Sequence, residues 1–296
     1  MKAKNKKVQI ILTIFFAVMC VCIVFPFLLV VSVSFSNEQD IIMHGYSIIP
    51  RKIDFSAYKY LFENPKTLLD AYKVTGIFSV LFMVLSVFLM TLIAYPLSLP
   101  NLKGRSVMTF FLFFTMLFSG GLVPSYILIT QYLHLSDTIW VYILPGLISP
   151  WYVFMLRTFI KNVPAEIRES VKLDGGSEYL FFFKFVIPLS KPVIASVALF
   201  MFLDKWNDWN TSMLYINSRE ELISLQYLLQ RILKNLQLIK DMESSGLMSP
   251  GIIQEEIPTE AVRMAMSVLV AGPALFVFPF FQRYFVKGLT VGSVKG

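Results

Sequence analysis

The sequence reads as an all-α integral membrane protein with six transmembrane helices and both termini in the cytoplasm. Its apolar content, its long uncharged runs and the placement of its lysines and arginines all lead there. Of 296 residues, 56% are hydrophobic and 28 are Phe, while charged residues make up only 15%. An average soluble domain carries about 25% charge. Any globule leaves much of its surface exposed, so no soluble fold of this length hides so much apolar area. This excludes a soluble enzyme, a nucleic-acid-binding module and a disordered chain. Two Cys exclude a disulfide framework and a cysteine zinc cluster, and two unclustered His do not suggest a metal site.

Crossing about 30 Å of hydrocarbon takes roughly 20 apolar residues in a helix. Five uncharged runs reach or approach that length, at 8–33, 74–99, 106–130, 138–156 and 264–282. They are continuous rather than alternating, which is the pattern of helices and not of barrel strands. A sixth run, 192–214, is apolar as far as Leu203 and then carries Asp204, Lys205 and Asp208. It is expected as one helix whose last two turns hold polar groups. The first run follows Lys2, Lys4, Lys6 and Lys7, as a secretory signal would, but it is too long for a signal's apolar region. It reads as an uncleaved anchor.

With the N-terminus inside, six spans place 15 of the 26 basic residues on the cytoplasmic side, against four acids. The short 99–106 loop, with two cations and no acid, is the most informative segment. In the alternative, 192–203 is re-entrant and there are five spans. That would put the acidic 204–263 segment and the basic tail on the opposite sides from this. The net charge of +7 is therefore a topology signal. The chain divides into an anchor helix and outer loop (1–73), a core (74–286) and a cytoplasmic tail (287–296). Within the core lie an inner loop at 157–191 and an outer loop at 210–263.

In the outer loop, Leu222, Leu225, Leu229, Ile232, Leu236 and Ile239 recur at helical spacing and form one apolar stripe. Gln226, Gln230, Arg231, Lys234 and Asn235 fill the other face. Two readings stay open: a helix lying on the bilayer or on the protein's own outer face, and a docking surface for an external partner. Residues 242–250 read as a flexible loop.

The inner loop holds NVPAEIRESVKLDGGSEYLFFFKFVIPLSKP at 162–192. Pro164 suits the first position of a helix that runs to Asp174, and Gly175-Gly176 stops it. Ser177 is a good N-cap for a second helix through the Phe cluster, and Leu180 to Phe183 are expected to press that helix to the membrane. Pro188 and Pro192 mark entry into the fifth span. A short rigid helix held in this way suits the transmission of force from a cytoplasmic partner.

Glu169-Ser170-Val171, three residues, Gly175, nine residues, then Phe185-Val186-Ile187-Pro188 resembles the EAA loop of permease subunits of binding-protein-dependent ABC importers. Both spacings match that pattern, with Ser170 and Val171 in place of its two alanines. The stretches 119–126 (SGGLVPSY), 188–192 (PLSKP) and 284–296 (YFVKGLTVGSVKG) resemble the branch of that family for complex carbohydrates and oligosaccharides. The resemblance spans nearly the whole chain. It implies a type I importer permease that docks its inner helix into a groove of an ATPase subunit. It assigns that role to Glu169, Ser170, Val171, Asp174, Gly175, Gly176 and Pro188. Implied partners are a second permease, an ATP-binding subunit in two copies or domains, an extracellular solute-binding protein and membrane lipid. No cofactor is expected in this chain, and ATP and Mg would be bound by the partner.

No G-x-x-x-x-G-K-[ST], G-x-S-x-G or H-E-x-x-H occurs, so ATP hydrolysis must come from a separate subunit and no enzymatic role is expected. Asp204 and Asp208, at i and i+4, share a helix face. Trp206, Asn207, Trp209 and Asn210 offer aromatic faces and amides suited to sugar. They are assigned with Tyr126 to the translocation pathway, against the alternative of an interfacial Trp belt with snorkelling charges. A self-sufficient secondary transporter, or another polytopic protein not coupled to an ATPase, is the alternative function. Against it, no titratable residue sits at mid-span.

Overall fold

A computed structural model of the chain describes residues 6–245 and 258–292. Among the described residues the regular structure is all helical, with one isolated bridge between Ser36 and Ile53. In order, the helices are α1 (Lys6–Ser34), α2 (Glu38–His44), α3 (Ser56–Leu61), α4 (Pro65–Ser98) and α5 (Arg105–Leu117). Then come α6 (Leu122–Ile127), continued by a π-helical turn at Leu128–Tyr132, α7 (Trp140–Ile143), α8 (Pro150–Ile160) and α9 (Ala165–Leu173). α10 (Glu178–Phe181) passes through a second π turn, Phe182–Val186, into α11 (Ile187–Leu189). α12 (Lys191–Trp206), α13 (Asn210–Tyr215), α14 (Leu225–Ser244) and α15 (Thr259–Gly292) complete the chain.

Among the described residues, three single helices are long and apolar enough to cross a bilayer, Val8–Ser34, Pro65–Ser98 and Thr259–Gln282, or five spans if two bent helix pairs each count as one. α1 exposes apolar side chains around its whole circumference, an arrangement that suits hydrocarbon and not water. The other expected spans are broken. The 106–130 run bends by 110° between α5 and α6, at Ser119-Gly120-Gly121. The 138–156 run is two short helices, α7 and α8, parted by Pro145-Gly146 and restarted at Pro150. Proline removes an intrahelical donor and glycine a helix preference, and both outweigh apolar content there.

The expected helix 192–214 stops at Trp206. Asn207 turns its Nδ2 back to the Leu203 carbonyl at 2.8 Å. Asp208 then accepts from the Thr211 amide at 3.0 Å and the Thr211 hydroxyl at 2.7 Å, starting α13. Short polar side chains compete here with the helical ladder for backbone groups. Buried backbone that leaves a helix at membrane depth needs such partners.

The chain forms two compact units, one of 1–68 with 229–272 and the other of 69–228 with 273–296. In the first, the Glu38 carboxylate caps α15. It accepts from Thr259 Oγ1 at 3.0 Å, the Glu260 amide at 2.9 Å and the Ala261 amide at 3.0 Å. A carboxylate placed on orphan N–H groups at the positive end of a helix is favourable.

The second unit has two cores. One gathers Phe82, Met90, Tyr95, Leu156, Val171, Phe181, Phe182 and Val197 from α4, α8, α9, α10, α12 and the π turn after α10. The other gathers Phe78, Ile129, Tyr142, Tyr215 and Ile223, with Phe78 stacked on Tyr142 at 4.2 Å. Asp137 pins the 217–219 turn by accepting its three amides at 2.8 to 3.4 Å, and these bonds hold its carboxyl below the usual range.

Along the outer stripe, Leu225, Leu229 and Leu236 are buried within the protein, which leaves little of it for an external partner. Leu222 falls in the turn before α14, and the Ile239 side chain lies outside the described residues. Within the expected flexible loop 242–250, α14 continues to Ser244, and residues 246–250 lie outside the described residues.

Candidate functional site

Pro164 stands just ahead of α9, one position earlier than expected, and Ala165 opens the helix. At the other end, the Gly175 amide donates to Lys172 O at 3.0 Å and the Gly176 amide to Val171 O at 2.7 Å. Those two bonds, with Gly175 at φ +78°, make a Schellman stop. The two glycines are needed for different reasons. Gly175 has open space but a backbone that side chains disfavour, whereas a Cβ on Gly176 would sit 2.6 Å from Val171 Cγ1 and 2.8 Å from Val171 O. Ser177 caps α10 as expected, accepting from the Leu180 amide at 3.2 Å.

The reversal sets Glu178, first residue of α10, against the side of α9. Its carboxylate takes Arg168 Nη2 at 2.6 Å, Arg168 Nε at 3.1 and 3.2 Å, and Lys172 Nζ at 3.2 Å. The Tyr95 hydroxyl, from α4, donates to the other side of the same carboxylate. The Arg168 hydrogen bonds foremost, with those from Tyr95 and Lys172, hold the Glu178 carboxyl down at about 2. A bidentate guanidinium–carboxylate pair is the strong, orienting kind of ion pair. The Tyr95 ring lies 6.1 Å from Phe181 and 5.4 Å from Phe182. Of the apolar stretch expected to face the membrane, Phe181 and Phe182 are therefore core residues, while Leu180 and Phe183 stay exposed.

The same turn presents an exposed tip. Leu173 is 89% exposed and Tyr179 is 77% exposed. Glu169, Ser170 and Asp174 are exposed beside them, whereas Val171 is buried and anchors α9 to the core. Pro188 lies in α11 and is exposed. The pattern anticipated the glycine stop and the cap but missed Glu178, Arg168 and Tyr95. The i, i+4 spacing of Arg168 and Lys172 was a visible signal, but Tyr95 is 83 positions from Glu178 and left none.

A second constellation lies at the end of α12. A cavity of about 660 Å³ is lined by Asp204, Asn207, Asp208, Trp209 and Asn210, together with Tyr152 and Phe200. Tyr152 stacks on Phe200 at 6.1 Å. The expected shared face of Asp204 and Asp208 is present, but the two carboxylates differ. Asp208 pairs with Lys205 at 3.0 Å, and that ammonium lies 4.8 Å from the Phe82 ring centre. Asp204 makes no ion pair or hydrogen bond among the described residues and faces the cavity.

Two residues grouped with this set by sequence lie elsewhere. Trp206 is 5% exposed and stacks on Phe202 at 5.6 Å, on the core side of the helix. Tyr126 stacks on Tyr215 at 5.7 Å and does not line this cavity. On a helix, position 206 points about 100° away from 207, and only packing decides which faces inward.

No family model matches the chain. It is 36% identical to Protein LplC of Bacillus subtilis (strain 168) over 274 residues, covering 92% of this chain and 90% of that one. It is 35% identical to the polygalacturonan/rhamnogalacturonan transport system permease protein YtcP of the same organism, covering 99% of this chain and all of the relative. In fold it resembles a chain from the crystal structure of a bacterial ABC transporter involved in the import of the acidic polysaccharide alginate. That match has a TM-score of 0.79 at 24% identity and covers 96% of this chain and 100% of that one. Proteins of this kind are transport-system permeases and not enzymes. With matches that run nearly end to end, the chain belongs to the permease subunits of carbohydrate ABC importers, multi-pass proteins of the cell membrane.

Proposed function

We propose that this chain forms half of an import pathway for oligosaccharide, driven by a separate ATP-binding subunit that docks on the 165–179 turn. The observation that carries the reading is the clamped turn itself. Its tip offers Leu173, Tyr179 and Glu169 to the cytoplasm, while Glu178 ties its base to α4. A flexible loop would absorb a push from a partner, and a turn bonded to a long helix passes it on. The complete transporter then holds a second permease, ATP-binding domains in two copies with their ATP and Mg, and an external solute-binding protein. Six spans with both termini in the cytoplasm remain the topology that the charge distribution supports best.

The cavity at the end of α12 is the sugar contact of this subunit. Asp204 and the amides of Asn207 and Asn210 face hydroxyls, and Trp209, Tyr152 and Phe200 face the C–H surfaces of the ring. Because Asp204 carries no partner cation, this position favours neutral hydroxyl-bearing residues over uronates.

The test is purification of the tagged chain from its own membranes in mild detergent, followed by protein identification. An ATP-binding subunit and a second permease should co-purify. Leu173→Ser or Glu169→Lys should shed the ATP-binding subunit and keep the permease partner. If no ATP-binding subunit is recovered, or if both variants keep it with full uptake, the reading is wrong.

A further inference from the structure

Arg105 opens α5 and Arg157 lies in the last turn of α8, two helices that pack together. Both line one cavity of about 610 Å³, with Ser106, Thr109, Phe110, Phe113 and Phe154, and no acid faces it. Neither guanidinium makes an ion pair or side-chain hydrogen bond among the described residues. Thr109 Oγ1 is also buried without a hydrogen-bond partner. Two partly buried cations that face the same space repel each other and give up hydration for nothing. A doubly bonded phosphate would satisfy both, since the guanidinium fork matches its oxygens.

The shape beyond the arginines limits what carries that phosphate. Phe113 and Phe154 also line a neighbouring cavity of about 720 Å³, whose other walls include Met116, Trp151, Met155 and Val193. Its volume lies within the roughly 300–1,000 Å³ of small-molecule sites, and its lining is mostly apolar. From Arg105 to Met116 the helix rises about 16 Å, roughly half of a 30 Å hydrocarbon core. An anionic head at one membrane edge and a hydrocarbon tail one leaflet deep fit the two cavities as one site.

We propose that Arg105 and Arg157 bind the phosphate of an anionic phospholipid, whose acyl chain runs along α5 and α8 past Phe113 to Trp151. On the proposed topology both arginines face the cytoplasmic leaflet, where a basic pocket between spans is suited to such headgroups.

The test uses the purified transporter with its co-purifying subunits, stripped of lipid in neutral detergent. Thermal unfolding is followed with phosphatidylglycerol, phosphatidylcholine, glycerol phosphate or inorganic phosphate added. Phosphatidylglycerol should raise Tm in a dose-dependent way, and the other three should not. The double variant Arg105→Gln, Arg157→Gln should lose the increment, Arg105→Lys, Arg157→Lys should keep most of it, and Trp151→Ala should weaken it.

If phosphatidylcholine matches phosphatidylglycerol, the headgroup assignment fails. If inorganic phosphate alone reproduces the increment, the site is an ion site and the lipid is refuted. If the Gln variant sheds the partner permease but keeps its phosphatidylglycerol response, the surface is a protein contact. Should the Gln variant not insert, native mass spectrometry of the wild type from mixed vesicles decides. Several-fold retention of phosphatidylglycerol over phosphatidylcholine supports the site, and equal retention overturns it.

Discussion

Replacing Glu178 with Gln removes one charge from the base of the 165–179 turn while leaving an acceptor for Tyr95. The magnitude follows from the structure. A carboxyl held at about 2 rather than its ordinary 4.5 corresponds to roughly 3 kcal/mol of preference for the folded turn at neutral pH. The side chain is 40% exposed, however, so water screens much of that. About 1–2 kcal/mol is the realistic figure, nearer to a good bidentate surface pair than to a buried one. That corresponds to roughly a 5- to 30-fold change in the open population of the turn.

Amide hydrogen exchange in detergent or nanodiscs reads this directly. In Glu178→Gln, the amides of 174–176 and 180, which close the Schellman stop and the Ser177 cap, should exchange faster by that factor. Amides within α4 and α12 should not change. The pH arm has a definite sign. Because the folded pKa is depressed, the stabilisation is fully present above about 4.5 and drains away as pH falls toward 2. Wild-type protection in the turn, corrected for intrinsic rates, should therefore fall through that window, and the variant should stay flat. Equal protection in the two proteins at neutral pH, or a parallel decline on acidification, would show that the clamp does not order the turn.

Further outcomes follow from the structure and from the charge distribution. Gly176→Ala should disturb coupling more than Gly175→Ala, because its Cβ meets Val171 at 2.6 Å while Gly175 suffers only its φ, about 1–2 kcal/mol. Uptake coupled to ATP hydrolysis ranks the two. Asp204→Asn, Asn207→Ala and Trp209→Ala should raise the apparent KM for the transported glycan with the ATP-binding subunit retained. Trp206→Ala should instead destabilise the fold, by the roughly 3–5 kcal/mol typical of emptying a packed aromatic site, and so lower Tm. Finally, in a Cys20→Ser, Cys22→Ser background, Ser218→Cys should label with an impermeant thiol reagent in intact cells and Ser177→Cys should not. Labelling of position 177 alone inverts the topology.

Hydropathy located the apolar mass correctly and misjudged its continuity, for a physical reason. An uncharged run reports the solvent a segment prefers, not the path of its backbone. Gly120-Gly121, Pro145-Gly146 and Pro150 mark the breaks, where backbone chemistry overrides apolar length. At 192–214 the stop at Trp206 depends on where Asn207 and Asp208 send their side chains, which no periodicity reports. The inner turn was legible because its signals are local: a proline ahead, two glycines at the stop and a serine cap. What bolts it down was not, because Tyr95 reaches Glu178 only after α4 and α10 have packed.

That division between local and distant signals bears on how the turn works. Local chemistry makes α9 and α10 a reversal of fixed shape, and the Schellman stop and cap would form in many surroundings. The distant contacts convert that shape into a lever. Val171, Phe181 and Phe182 share one core with Tyr95 and Met90 of α4 and with Leu156 of α8. Packed cores deform little, so a shift of the turn must carry those helices or break the packing. Burial of three such side chains is worth roughly 1.5–3 kcal/mol each, more in sum than the screened Glu178 clamp. On the proposed docking, the core bears the load and the ion pair sets the angle at which Leu173 and Tyr179 would meet the ATP-binding subunit. Loss of the clamp should then loosen coupling without detaching the turn. Loss of the packing, as in Phe182→Ala, should detach it.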